Sequence, residues 1–563
     1  MLLSIAKHPP HHCGEIQILR DKITAFFDMR VNWWQCCING TVKAGKDADS
    51  FQALLSDITA EIISKSRAGT KRKAIIFIND LDCTRMILPD GQKTSAKKVK
   101  AGIEYSMEYD TDSIIFRNFN VLFNNKTEKI MKMFPGFTCC VGMQKFLDMF
   151  GLPITELRYS LAYLTKKTFY ADIKEELWQN TRMHRRILRD IATYSDMQAG
   201  NQGGMLSSFS GDNCIIFKVL NNVASFDKKS AYPSYFINDK YFPIGKICRV
   251  TGAENYKKIM LADAIKKRQW FKIVIADDLS YMPELQIFKT PEKELYGIEF
   301  WDYRIIQKCG IDILGLLSGK KWRLYRCTFT GYMPDCFREK IIKLYDRKNA
   351  IVSKDDPERF LIKTQLDMLY GKGLQKYEFA TDQDVFRKYL LRGENFLTPQ
   401  MSMHVVAAMR HELLTVAGYF GKDCFAYDTD GVKIDVSPGQ LKDITAFFDK
   451  INAYIKDKNA AAGFNSDIGI WDFEYMARRF IQFAPKVYAY EEYGGGVVCK
   501  FAGVAERYTK KYIGDKTPDE LFSMWSSHGL DLQTCAGWCF VPEKKWFIEL
   551  KNDYKLLKES EEK

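Results

Sequence analysis

The 563 residues contain no Cys-x-x-Cys pair, although 15 cysteines are scattered along the chain, four of them in adjacent pairs at Cys36–Cys37 and Cys139–Cys140. The spacing of a zinc ribbon is therefore missing. An odd number of dispersed thiols does not suit a disulfide scaffold, and fits free cysteines in a reducing cytoplasm. Nowhere do about 18 apolar residues follow one another, so no membrane span and no membrane partner is expected. The start, MLLSIAKHPPHHC, lacks the apolar centre of a secretory leader. His8, His11, His12 and Cys13 could together bind a metal, but the segment reads more simply as a flexible polar terminus. Internal repeats and low-complexity tracts are also lacking.

Hydrophobic residues make up 46% and charged residues 27% of the chain, with a net charge of +13. Such a chain is globular, of several domains. Its excess of positive charge suits a polyanionic partner, of which nucleic acid is the commonest.

The pattern is that of a mixed α/β protein. RKAIIFIND (72–80) reads as a buried strand. Helical spacing appears in 49–65, 141–152, 176–194 and 398–419. The Gly/Ser-rich stretch 199–213 is the best linker candidate. Residues 221–237 read as a strand, a turn and a helix, and 240–335 alternate short strands and helices. A long basic helical segment follows at 336–373. CFAYDTDGVKIDV (424–436) reads as two strands about a tight turn.

Two of these segments carry acidic groups in a form that suits metal chemistry. Phosphoryl transfer to a 3′-hydroxyl uses two divalent ions roughly 3.5–4 Å apart. Magnesium prefers hard oxygen ligands, so carboxylates must converge from separate strands. Asp227 stands at a strand end before a Lys-Lys-Ser-Ala-Tyr-Pro turn, and the turn at 427–430 presents Asp428 and Asp430. Each aspartate alone could equally be a strand-end cap or an ordinary hairpin residue. Lys363, in the basic segment between them, could meet a triphosphate as a point charge. A second Tyr-Asp-Thr-Asp, at 109–112, precedes Asp227 and reads as an unrelated polar turn.

SFDKKSAYP (225–233), KTQLDMLYG (363–371) and AYDTDG (426–431) resemble motifs A, B and C of family B DNA polymerases, in the family's order and spacing. PKVYAY (485–490) is similar to the family's Lys-x-Tyr motif, and CKFAGV (499–504) follows it as in the protein-primed branch. The resemblance covers about 200–510. It implies an RNase H-like exonuclease-type domain at 1–198 and a linker at 199–215. A right-hand polymerase would follow: palm at 216–239 and 399–493, fingers at 336–373, thumb at 494–563. Residues 240–335 and 374–398 would be insertions like the branch's two terminal-protein regions.

What the resemblance implies for individual residues is specific. Asp227 and Asp430, with Lys228 between strand and turn, would hold two magnesium ions, manganese being able to substitute, with Asp428 close by. Ser230, Ala231, Tyr232, Lys348, Lys363 and Tyr370 would bind the incoming nucleotide, Tyr232 rejecting a 2′-hydroxyl. Gly203, Gly204, Gly371, Thr429, Lys486, Tyr488 and Lys500 would contact DNA. The partners would be template and primer DNA, dNTPs and a terminal protein, and the chain would act as a monomer.

Several departures qualify the reading. Asn201 stands where the family's Tyr-x-Gly-Gly motif has its aromatic. Ala231 replaces Leu, Asp367-Met368 replace Asn-Ser, and Gly431 replaces Ser, which suggests relaxed fidelity. No Asp-x-Glu occurs in the first 60 residues. Only Asn79 and Asp82 resemble an exonuclease element, and Leu177 and Thr181 stand where Tyr and Asp are expected. Little or no proofreading is therefore predicted. A repair or defence polymerase, or a silent nucleic-acid-binding homologue, remains the other reading of the same residues.

Overall fold

The computed structural model describes residues 218–373 and 399–528 apart from gaps of no more than four residues, the backbones of nine strands before residue 119, and a few short stretches elsewhere. The chain divides into two compact units, residues 1–174 with 343–368, and residues 175–342 with 369–563.

The first unit contains a nine-stranded mixed sheet. Its strand Lys73–Ile78, expected from the apolar run at 72–80, lies parallel to Leu2–Leu3 and to Asp112–Asn118. Tyr109 pairs with Asp112 in this sheet, and the two residues between them in the second Tyr-Asp-Thr-Asp lie outside the described residues. Cys13 opens a further strand, Cys13–Ile18, where the sequence suggested a flexible terminus. The helices expected at 49–65, 141–152 and 176–194 lie outside the described residues, except for isolated positions. So do His8, His11, His12, Asn79, Asp82, Leu177 and Thr181.

The second unit is built on a seven-stranded antiparallel sheet. Its strands are β1 (Leu206–Ser208), β2 (Val219–Lys228), β3 (Cys424–Asp428), β4 (Gly431–Asp435), β5 (Trp471–Ala484), β6 (Val487–Glu492) and β7 (Val497–Phe501), in the order β1-β3-β4-β2-β5-β6-β7. Three residues of the stretch read as a linker, 199–215, form β1. Leu206–Ser208 pairs with β3, Leu206 opposite Asp428, so this Gly/Ser-rich stretch supplies an edge strand. Gly203 and Gly204 lie outside the described residues.

A short helix, α1 (Ala231–Asn238), follows β2 and is buried along its whole length. Residues 240–335 fold about a five-stranded antiparallel sheet with helices α2 (Glu254–Lys266) and α3 (Phe300–Lys308). Their core includes Trp270, Phe271, Ile273, Val274, Ile298 and Leu324, all 1% exposed or less. Burial of each such side chain contributes about 1.5–3 kcal/mol.

The basic segment 336–373 is two helices, α4 (Asp335–Ala350) and α5 (Pro357–Gly373). The break is capped by Asp356, whose Oδ1 accepts from the Glu358 and Arg359 amides at 2.8 and 3.3 Å. Pro357 at the first helical position completes a start signal. α6 (Pro399–Phe420) matches the helix expected at 398–419 and is mostly buried, and α7 (Leu441–Ala461) follows the β3–β4 hairpin. α8 (Glu506–Ile513) and α9 (Pro518–His528) pack Tyr512, Leu521, Phe522 and Trp525 against Phe483, Val487, Ala489 and Phe501 of β5–β7. Among the described residues no helix is long and apolar enough to cross a membrane. Cys248, Cys309, Cys327, Cys336, Cys424 and Cys499 are in no disulfide.

Candidate active site

Side chains alternate along a strand, and this places Asp227 and Lys228 on opposite faces of β2. Phe226, on the same face as Lys228, stacks on Phe448 of α7 with ring centroids 4.0 Å apart. Lys228 reaches Glu412 of α6. The helix-covered face is therefore the one away from Asp227, whose carboxyl is half-buried on the other side.

The β3–β4 hairpin delivers the second acidic group. Asp428 pairs with Gly431, leaving Thr429 and Asp430 as a two-residue turn. Thr429 adopts a left-handed φ of 62°, an uncommon state for a β-branched residue, and its hydroxyl donates to Asp428 Oδ1 at 3.0 Å. The Asp430 amide donates back to the Asp428 carbonyl at 2.6 Å.

Two main-chain contacts bring the turn to β2. Asp227 is the cross-strand partner of Gly431, and the Lys228 amide donates to the Asp430 carbonyl at 2.9 Å. Gly431 permits the approach, since a Cβ there would meet Asp227 Oδ1 at 3.0 Å and the Phe226 carbonyl at 3.2 Å. The lack of a side chain at Gly431 thus avoids crowding beside Asp227.

Electrostatics mark the cluster. Burial first, then the charges of Asp430 and Glu474, push the Asp227 carboxyl up to about 8, with Lys433 opposing and Asp428 adding to the rise. Lys433, on β4, is buried, and this lowers its ammonium from the usual value although Asp428, Glu474 and Asp227 all pull it the other way. Its Nζ also lies 4.5 Å from the ring centre of Tyr488. Glu474 Oε2 accepts from Ser225 Oγ at 2.9 Å. Lys486 Nζ stands 2.8 Å from Asp428 Oδ1.

The donor set is all oxygen, two carboxylates from separate segments in a crowded negative site, and this fits magnesium. Among the described residues no three or more His, Cys, Asp or Glu side chains are arranged to hold a metal ion. Magnesium seldom uses such a cage. It keeps waters and takes one or two carboxylates with substrate phosphates. The Lys228 ammonium lies on the far face, so only its main chain is left to serve as a ligand.

The other expected residues fall as follows. Ser230 is the N-cap of α1 in a left-handed conformation, and Ala231 is buried behind it. Tyr232 stacks on Tyr370 with ring centroids 4.0 Å apart at 18°. Gly371 is exposed on the last turn of α5. Tyr488 on β6 pairs across the sheet with exposed Lys500 on β7. Lys348 and Lys363 belong to the first unit, where Lys348 Nζ lies 4.6 Å from the ring centre of Tyr345 and Lys363 is exposed.

Three charged residues close to the site were not singled out from the sequence: Lys433, Glu474 and Glu412. Alternation along β4 from Gly431 could have placed Lys433 on the carboxylate face. No local signal marks Glu474 or Glu412, which arrive from elements distant in the chain.

No family model and no curated protein matches the sequence. Solved structures match the fold. Phi29 DNA polymerase complexed with primer-template DNA is 14% identical, with a TM-score of 0.54 over 90% of this chain and 94% of that one. Its complex with primer-template DNA and incoming nucleotide is 14% identical, with a TM-score of 0.53 over 89% and 94%. Its orthorhombic crystal form gives 14%, 0.51, 89% and 94%. The chain therefore has a fold similar to that of Phi29 DNA polymerase, a protein-primed family B enzyme.

Proposed function

We propose that this chain is a template-directed DNA polymerase that transfers nucleotides from dNTPs to a primer 3′-hydroxyl. The observation that carries the reading is the meeting of Asp227 and Asp430 across the β2–β4 ladder, fixed by the hydrogen bond between the Lys228 amide and the Asp430 carbonyl. Magnesium bound there would ease ionisation of the attacking hydroxyl and offset the triphosphate charge. Asp227 and Asp430 would hold it, while Asp428, engaged by Lys486, would steady the turn and the primer side of the site. Tyr232 on Tyr370 forms an aromatic wall suited to packing against a sugar and a base. The seven-stranded sheet would be the palm, α4 and α5 the fingers, and α8 and α9 part of the thumb. The five-stranded region would be an insertion of the terminal-protein kind, which makes initiation from a protein hydroxyl part of the proposal. Ala231, Asp367 and Gly431 suit relaxed fidelity, and a repair or defence role would use the same chemistry.

Extension of a primed template with magnesium tests the reading. Wild type should extend, and Asp430→Ala should lower the rate by at least about 10²–10³-fold. Absence of extension from both free and protein-linked primers would leave a nucleic-acid-binding homologue.

A further inference from the structure

Directly behind the acidic pair lies a buried ionic contact. Lys228 follows Asp227 in the chain and its side chain is 2% exposed, an unusual place for an ammonium. Its Nζ meets Glu412 Oε1 of α6 at 2.5 Å. The same carboxylate accepts from Trp471 Nε1 at 2.8 Å, at the start of β5, and through Oε2 from the Tyr235 hydroxyl at 2.6 Å, on α1. Glu412 thus ties together the strand end that bears Asp227, the helix that bears Tyr232, and the strand next to β2.

Lys228 is the joint of this arrangement. Its side chain is held by Glu412 on one face, while its amide holds the Asp430 carbonyl at the edge of the other. Moving the Lys228 side chain therefore shifts two things at once: the backbone of its neighbour Asp227, and the hydrogen bond that seats the Asp430 turn.

We propose that Glu412, acting through Lys228, is a positioning residue that sets the separation of the Asp227 and Asp430 carboxylates. This rests on the two-carboxylate reading of the site. The role differs from general support of the fold, because Glu412 touches neither carboxylate and its ion pair is with Lys228, the residue next to Asp227 whose amide holds the Asp430 carbonyl. It differs from long-range electrostatics as well, and the two make opposite predictions for one variant. Removing the Lys228 ammonium leaves the site more negative, which by charge alone would draw a divalent cation more strongly. If Lys228 positions the ligands, its loss weakens binding instead.

The experiment counts bound Mn²⁺ on the free full-length protein from the EPR signal of the unbound ion, with no DNA or nucleotide present. Asp227→Asn defines the portion that belongs to the acidic pair. Lys228→Met and Glu412→Gln should each weaken that portion by roughly 10- to 100-fold, the usual effect of removing a group that orients a ligand. Lys228→Met fills the same buried space with an apolar chain and leaves a partly exposed carboxylate that water can reach, so it should fold even if Glu412→Gln does not. Unaltered or tighter Mn²⁺ binding by folded Lys228→Met would overturn the positioning role alone. A wild type with no Mn²⁺ binding sensitive to Asp227→Asn would instead overturn the metal-site reading.

Discussion

Asp227 is held in a place that costs the folded protein stability. Its carboxyl is raised from the ordinary 3.8 to about 8, by burial first and then by Asp430 and Glu474. A carboxyl whose folded value is raised favours the fold below the ordinary value and loses that contribution as pH rises through the folded one. Above pH 8 without metal, ionised Asp227 is therefore a net cost. Asp227→Asn removes the charge and should stabilise the metal-free protein by about 1–3 kcal/mol near pH 8.5, with the gain vanishing towards pH 4. Urea unfolding across that range checks it, and a variant less stable than wild type at pH 8.5 would contradict the electrostatic account. The motifs made Asp227, Asp430 and Lys486 legible because each sits in a short run with a local shape. Lys433 lies in the same hairpin run and could have been placed by alternation, whereas Glu474 has no such run, and its place follows from strand pairing.

Between elements, the tie most exposed to pH is His404 on α6, 1% exposed, with Nε2 at 2.8 Å from Asp239 Oδ2 after α1 and Nδ1 at 2.7 Å from Glu299 Oε1 before α3. Burial alone would lower the imidazole, but Glu299 and Asp239 outweigh it and raise it to about 9. Asp302 near Glu299, and Lys458 near Asp239, complete the charged surroundings. A histidine raised from 6.5 contributes stability that is fully present below 6.5 and is lost as pH climbs through 9. His404→Ala leaves two buried carboxylates facing a void. It should cost about 3–5 kcal/mol at pH 6 and flatten the wild-type decline between pH 6.5 and 9. Thermal midpoints of both proteins at half-unit pH steps would show this, and parallel curves would exclude the triad as the source. At this scale the helix at 398–419 was legible from its spacing. The break between α4 and α5 was also written locally, in Asp356-Pro357, but a basic helical pattern on both sides masked it. The strand at Leu206–Ser208 was not legible, because its only partner is the distant β3 and its flanks have the composition of a linker.

The chain divides into two compact units, and on the proposed reading the chemistry of the first would rest on a few residues. Its strand Lys73–Ile78, parallel to Leu2–Leu3 and Asp112–Asn118 and antiparallel to Cys13–Ile18, precedes in the chain Asn79 and Asp82, the two residues that resemble an exonuclease element. Hydrolysis by two metals needs carboxylates from several segments, and one aspartate with an asparagine supplies too few. No Asp-x-Glu occurs in the first 60 residues, and Leu177 and Thr181 stand where the resemblance expects Tyr and Asp, so the proposed reading has no further carboxylates there. On the proposed reading, in a chain with a net charge of +13, the first unit would hold single strands without cutting them. A primer ending in a 3′ mismatch should accordingly persist or be extended with the error, and not be trimmed, under conditions where a matched primer is extended. Asp82→Ala should leave both outcomes as they are. Metal-dependent trimming that Asp82→Ala abolishes would mean that carboxylates outside the expected elements complete a working exonuclease site, and the first unit would then be a second catalytic centre.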